Sequence, residues 1–157
     1  MNGKSPLALL RKVGVRGAML LAEAAFMLAL SSAAIAMAPF SKIAGFLSRR
    51  HVKSARLPED EQSVLRSGRW AVEAAARRLP WKTLCFQKGL AFHLMMRRRG
   101  IDTLLHYGVA QNKEKGIQAH VWISHAGRGL IGSDVAADFA CLATYPPPDA
   151  SGERPLR

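Results

Sequence analysis

The sequence predicts an α+β domain in which helices come first and an antiparallel sheet follows. Residues 57–100 keep the apolar spacing of helices and carry helix start and stop signals. Residues 104–135 change to short strand-like runs separated by polar turns. An apolar run precedes the predicted helices and strands. With 157 residues and 49% hydrophobic composition, the chain is long enough for one domain with a real core.

The first segment, residues 1–56, is apolar and basic, and its longest apolar run extends over residues 18–40. Three interpretations stay open: a secretory signal with Ala-x-Ala triplets, a membrane span, or a helix that packs on the domain or lies at a membrane surface. Glu23 disfavours a span, because a charge near its centre costs about 3 kcal/mol. We therefore expect a packed helix, with any membrane contact through residues 18–40 being peripheral.

Two further helices are predicted before the sheet. The first begins within residues 57–61, where a proline is followed by three acids that suit the positive end of a helix dipole, and it ends before Pro80. The second begins near Leu84. It ends with the cations Arg97 to Arg99 and with Gly100, which suits a left-handed C-terminal cap.

Three strands are predicted after the helices, over residues 104–110, 117–124 and 130–135, with the last two joined by a tight glycine-containing turn. The core domain should therefore cover residues 57–146. The tail, residues 147–157, is rich in proline and charge and is predicted to be disordered.

The composition limits the partners and the chemistry. A net charge of +12 indicates an anionic partner, but the chain has no helix-turn-helix or aromatic-basic interleaving that would predict nucleic-acid binding. Cys85 and Cys141 form no Cys-x-x-Cys pair, so free thiols in the reducing cytoplasm are expected. His93, His106 and His125 have no metal-ligand spacing with Cys85, and we predict neither a metal nor a cofactor.

A thiol-based site is predicted from spacing. A cysteine attacks only as the thiolate, which the positive end of a helix dipole favours, and Cys85 stands at a predicted helix start. It also needs a base and a third group that orients the base. His120 lies mid-strand, and a hairpin centred on Gly127 would place Asp134 directly opposite it on the same face. A one-residue slip would send Asp134 to the other face, with Asp138 as the alternative.

Each of these residues also has a simpler explanation. Cys85 could be a small core residue, and His120 a hydrogen-bonded strand histidine. Together, however, they follow the chain order and element order of papain-like and transglutaminase-like thiol enzymes. The backbone N–H of Cys85 would bind the oxyanion; the indole of Trp81 is a candidate second donor, although core packing is the simpler role for Trp81 and Trp122.

Several short fragments, taken in order, resemble one family. They are Trp70-Ala71-Val72, Ala76 to Trp81, Cys85 to Ala91, Arg98 to Ile101, Tyr107-Gly108-Val109 and Ala119 to Trp122. Over about residues 65–145 the chain resembles the stand-alone lasso-peptide biosynthesis B protein, a leader peptidase with a transglutaminase-like core.

The resemblance implies a cytoplasmic cysteine protease that cuts the leader from a ribosomally made precursor peptide. An ATP-dependent macrolactam synthetase would then close the ring. The family's nucleophile falls on Cys85, its base on His120 and its acid on Asp134. Residues 1–50 lack the pattern of a small winged-helix module, so the resemblance implies that a separate protein recognises the leader.

The chain departs from the family pattern at three positions. Gly89 stands where serine or alanine is common, Val121 where alanine is common, and Ser124 where an acid often occurs. Two other functions therefore stay open: an amidase or acyltransferase that uses the same residues on another peptide, and a basic, membrane-associated accessory protein without catalytic activity.

Overall fold

The computed structural model describes residues 6–48, 60–112 and 116–147. Within them, α-helices precede an antiparallel sheet, which confirms the predicted α+β class. The helices are α1 (Pro6–Met37), α2 (Phe40–Leu47), α3 (Glu61–Ala76) and α4 (Cys85–Arg98); the strands are β1 (Leu104–Asn112), β2 (Gly116–His125), β3 (Arg128–Gly129) and β4 (Ala140–Tyr145), with a 3₁₀ helix over Ser133–Asp138.

The sheet has the strand order β3-β2-β1-β4. All neighbouring strands are antiparallel, and His120 of β2 faces Gly108 of β1. Helix α4 lies across one face of the sheet. A Cβ atom built on Gly89 would be 2.8 Å from Cγ1 of Val121, so the helix backbone approaches the strand more closely than a larger residue would allow.

Helix α1 packs against α3 and α4 and contributes to the same hydrophobic core. The buried residues of α1 include Leu21, Ala24, Met27 and Leu28. Glu23 also ties α1 to α4, because the Arg99 guanidinium donates to its two carboxylate oxygens at 2.9 and 2.5 Å. The hydrogen bond from Arg99 lowers the pKa of Glu23. The charge that disfavoured a membrane span is thus paired within the protein.

The N-terminal apolar run differs from the expectation in its boundaries. Helix α1 ends at Met37, and Pro39 precedes a separate short helix, α2, which was not predicted. Within α1 the stretch Gly14–Met37 is, by length and composition, apolar enough to cross a membrane, with a mean hydropathy of 1.9.

The two central helices are found where they were expected. Asp60 caps α3 by accepting a hydrogen bond from the Ser63 N–H at 2.9 Å, and α4 begins at Cys85 and ends before Gly100. The predicted first residues of α3, 57–59, and almost all of the predicted disordered tail, 148–157, lie outside the described residues.

The predicted third strand is wrong in length and register. The β2–β3 connection is a two-residue turn in which Ala126 and Gly127 have φ of 47° and 73°, the geometry of a type I′ hairpin. It pairs His125 with Arg128, and the strand ends at Gly129. The chain leaves the sheet through Gly132, whose φ is 69°. Position 134 is therefore not a strand partner of His120. Strand β4 was not predicted.

Candidate active site

Cys85 is the first residue of α4. Leu84 precedes it in an extended conformation, with φ −91° and ψ 176°. The side chain of Gln87 reaches back, and its Oε1 accepts the Leu84 N–H at 2.8 Å. This contact fixes the start of the helix. The backbone N–H of Cys85 lies in the first turn, where N–H groups have no helical carbonyl partners. The half-buried thiol therefore stands at the positive end of the helix dipole.

His120 is held in one orientation by β2 and its neighbours. Its Nε2 lies 2.7 Å from the carbonyl oxygen of Gly132. A carbonyl can only accept, so Nε2 carries the hydrogen and Nδ1 has the lone pair in the neutral ring. Two aromatic rings flank the imidazole, Phe139 at 4.9 Å and Trp122 at 6.1 Å between centroids. The tautomer of the neutral ring is thus set by a backbone contact.

A cavity of about 410 Å³ brings the predicted residues together. Cys85, His120 and Asp134 all line it. Val121 also lines it, although consecutive strand residues point to opposite faces. The cavity therefore opens across the edge of β2, which β3 pairs only at Ser124 and His125.

Asp134 reaches the cavity by a different route from the one expected. It is an exposed residue of the first turn of the 3₁₀ helix, and the hydrogen bond of His120 goes to the Gly132 carbonyl instead of to its carboxylate. Asp138, the alternative, is exposed at the end of the same helix. Of these two aspartates only Asp134 is among the described residues that line the cavity.

The sequence model of the transglutaminase-like superfamily matches residues 27–144, which is most of the chain. The chain belongs to the transglutaminase-like superfamily. No curated protein and no solved structure matches the chain. The match begins inside α1, upstream of the fragments that carried the resemblance, and it ends in β4, so the superfamily domain includes the C-terminal part of α1 and almost all of β4.

The cavity that Cys85 and His120 line also contains charged residues that were not predicted from the sequence. Arg77, at the C-terminal end of α3, lines it together with Glu73 and Lys88. Lys88 lies three residues after Cys85, and this spacing puts both on the same face of α4; that signal was available in the sequence. Arg77 and Gly132 reach the cavity through tertiary packing, and no local sequence pattern predicts their place in it. The cavity lining therefore carries two cations, Arg77 and Lys88, and two acids, Glu73 and Asp134.

The two tryptophans differ in their environment. Trp122 is 1% exposed, which confirms its expected place in the core, and its Nε1 has no hydrogen-bond partner among the described residues. Trp81 is 40% exposed and is not among the described residues that line the cavity. A second oxyanion donor from the Trp81 indole stays a prediction.

The other histidines in the described part of the chain, His93, His106 and His125, have structural partners. His93 Nδ1 lies 2.8 Å from Thr103 Oγ1, and His106 lies 2.7 Å from Ser124 Oγ. Burial lowers the pKa of both imidazoles to about 4. His125 contacts the Asp102 carbonyl and, at 2.5 Å, the Glu61 carboxylate. In the part of the chain that the structure describes, no three His, Cys, Asp or Glu side chains converge as a metal-binding group.

Proposed function

We propose that this transglutaminase-like protein is a cytoplasmic cysteine peptidase that removes the leader from a lasso-peptide precursor. The observation that carries the proposal is the common cavity of Cys85 and His120, with the thiol at a helix start and the imidazole in a defined tautomer. Superfamily membership supports the class of chemistry. The ordered fragments described above support the substrate.

In the first step the Cys85 thiolate attacks the carbonyl carbon at the leader–core junction. His120 Nδ1 takes the thiol proton and passes it to the departing amine as the C–N bond breaks. The backbone N–H of Cys85 stabilises the oxyanion.

In the second step water hydrolyses the thioester. His120 accepts a proton from that water, the C–S bond breaks, and the sulfur returns to its resting state. Asp134 supplies negative charge near the imidazolium that forms in each step. The products are the free leader carboxylate and a core peptide with a free amino terminus, the substrate that a macrolactam synthetase needs.

Partners follow from the same proposal. In the described part of the N-terminal segment, residues 6–48 are helical, with α1 broken at Gly14 and followed by α2. This arrangement supports leader recognition by a separate protein. The precursor, that recognition protein and an ATP-dependent macrolactam synthetase then complete the reaction sequence.

The test is cleavage of a co-expressed precursor, read by the mass of the released leader. We expect Cys85→Ala and His120→Ala to reduce cleavage by about a thousandfold or more, because each removes a group that takes part in bond breaking. Cys141→Ala is the matched control, since Cys141 is a free cysteine on β4 outside the cavity lining, and it should cleave normally. Unchanged maturation by Cys85→Ala would exclude catalysis by this site.

The same superfamily chemistry favours a second candidate, amide transfer by the thioester to an amine acceptor. The product distinguishes the two functions. Hydrolysis releases a leader with a free carboxylate, whereas transfer to an added primary amine gives a leader that is heavier by the amine less water.

A further inference from the structure

An exposed apolar stripe runs along α1 from Val15 to Met37. Its residues recur at helical spacing on the face opposite the core, and they are Val15, Met19, Phe26, Leu30 and Met37, which are between 47% and 80% exposed. Apolar residues arranged in this way are not scattered singly on the surface. They form one continuous face that the described domain leaves uncovered.

A groove runs beside this stripe between α1, α2 and α4. It has a volume of about 570 Å³ and a mostly apolar lining that includes Leu30 of the stripe as well as Met27, Phe46 and Leu94. Ser31 also lines it. That residue is fully buried, and its hydroxyl has no hydrogen-bond partner among the described residues. An apolar groove with one unpartnered hydroxyl suits an acyl chain that carries an ester carbonyl.

The rim of the groove is basic. Lys42, Arg97 and Arg98 line it, and the guanidinium of Arg97 lies 5.1 Å from the centroid of the Phe46 ring. An adjoining depression on the other side of Arg98 is lined by Arg16 and Arg99 as well. Glu23 is the one acid among the described residues that line either, and both Arg98 and Arg99 pair with it. The surface keeps a net positive charge.

We propose that this face binds an anionic phospholipid bilayer, with one acyl chain in the groove and the headgroup phosphate held by Lys42, Arg97 and Arg98. The inference goes beyond the proposed peptidase function and does not depend on it. A second copy of the chain is a poorer occupant, because two molecules that each carry a charge of +12 would meet through basic rims.

The same geometry argues against a membrane-spanning role for α1 in the folded domain. The face with Leu21, Ala24 and Leu28 is buried against the protein, and Glu23 is paired with Arg99. Crossing a bilayer would break that pair and open the core. A helix with one face packed on the protein and the other at the lipid surface keeps the core closed and the Glu23–Arg99 pair intact.

The first test is co-sedimentation of the full chain with vesicles of phosphatidylcholine, with or without phosphatidylglycerol. We expect binding to the anionic vesicles only. Lys42→Gln with Arg98→Gln should weaken it by about 30-fold, since each surface cation contributes about a factor of five. Arg66→Gln with Arg128→Gln is the matched control, because both side chains are exposed and neither lines the groove. Equal loss in both pairs, or equal binding to neutral vesicles, would overturn the proposal.

The second test asks whether an acyl chain enters the groove. A Leu94→Trp variant places an indole in the lining, and Ile117→Trp places one at a 79% exposed position on β2. With phosphatidylglycerol brominated on its chains, the added emission should be quenched for position 94 and not for position 117. Vesicle-bound Leu94→Trp protein whose added emission is unquenched would show that the groove holds no lipid chain.

Discussion

At His120, a backbone carbonyl does the orienting that a carboxylate does in the usual thiol triad. The Gly132 oxygen fixes the Nε2–H tautomer, but it is neutral and stabilises an imidazolium less than a full negative charge would. Asp134 lines the same cavity and is the proposed source of that charge. In the proposed mechanism, orientation of the imidazole and compensation of its charge are therefore divided between two residues of one short segment.

This division predicts a moderate effect of Asp134→Asn. Leader cleavage should fall by about tenfold to a hundredfold, because the carbonyl still holds the tautomer while charge stabilisation of the imidazolium is lost. The measurement is the single-turnover cleavage rate with excess enzyme. Asp138→Asn, which changes an exposed residue outside the cavity lining, should cleave at the normal rate. A larger loss in Asp138→Asn would reverse the assignment of the acid.

Local rules placed Cys85 at a helix start and His120 within a strand, as the structure has them, while their catalytic roles stay predictions. Cys85 was identified because caps and helical spacing locate a helix start, and His120 because strand alternation is visible in the chain. Asp134 was expected near His120 as its partner on a third strand. That reason is wrong, because Asp134 reaches the cavity from a 3₁₀ helix. The role of Gly132 depends on where the chain leaves the sheet, which no local pattern encodes.

Between elements, the α4–β2 contact explains two departures from the family pattern together. Where the resembling family commonly has serine or alanine at 89 and alanine at 121, this chain has Gly89 and Val121. The two positions touch, with only 2.8 Å between Val121 Cγ1 and the site of an added Cβ. A smaller residue on the helix thus accommodates a larger one on the strand.

The contact predicts a compensating double substitution. Val121→Ala should lower the free energy of unfolding by about 2 kcal/mol through the lost burial and cavity, and Gly89→Ala by about 1 kcal/mol, since overpacking exceeds the gain in helix propensity. The double variant should be at least about 1 kcal/mol more stable than the sum of the single effects predicts. Denaturant titration of all four proteins measures this coupling, and additive effects would contradict the packing explanation.

The element boundaries show which parts of the fold local sequence signals predict. The prediction placed α3, α4 and the first two strands correctly within a few residues. Helix α3 has an acidic first turn, and a glycine follows α4. The error in β3 came from the turn, since a hairpin centred on Gly127 and a type I′ turn at Ala126-Gly127 differ by one residue. Helix α2 was missed because it continues the apolar composition of α1 beyond Pro39.

For the whole molecule, stability should depend on pH through two buried histidines. His93 and His106 have folded pKa values of about 4 against an ordinary value of 6.5. The unfolded chain therefore binds protons that the folded chain excludes as the pH falls from 6.5 towards 4. Stability is full above this window and decreases through it, by about 3 kcal/mol for each histidine.

Denaturant midpoints measured between neutral pH and pH 4 test this dependence. The free energy of unfolding should fall steadily below pH 6.5 in the unmodified protein. His106→Gln, which keeps hydrogen-bonding capacity without a titrating group, should remove about half of the slope. A pH-independent midpoint through the window would show that neither histidine is held neutral by burial.

The rings of His106 on β1 and of Trp122 and His120 on β2 form one stacked column across the two strands. Trp122 stacks at 5.4 Å on His106 and at 6.1 Å on His120, with interplanar angles of 13° and 17°. The indole ring current should therefore displace the carbon-bound proton resonances of both imidazoles upfield of those of the other histidines. The ionisation of the candidate base would then be visible in a proton magnetic resonance spectrum of the unlabelled protein.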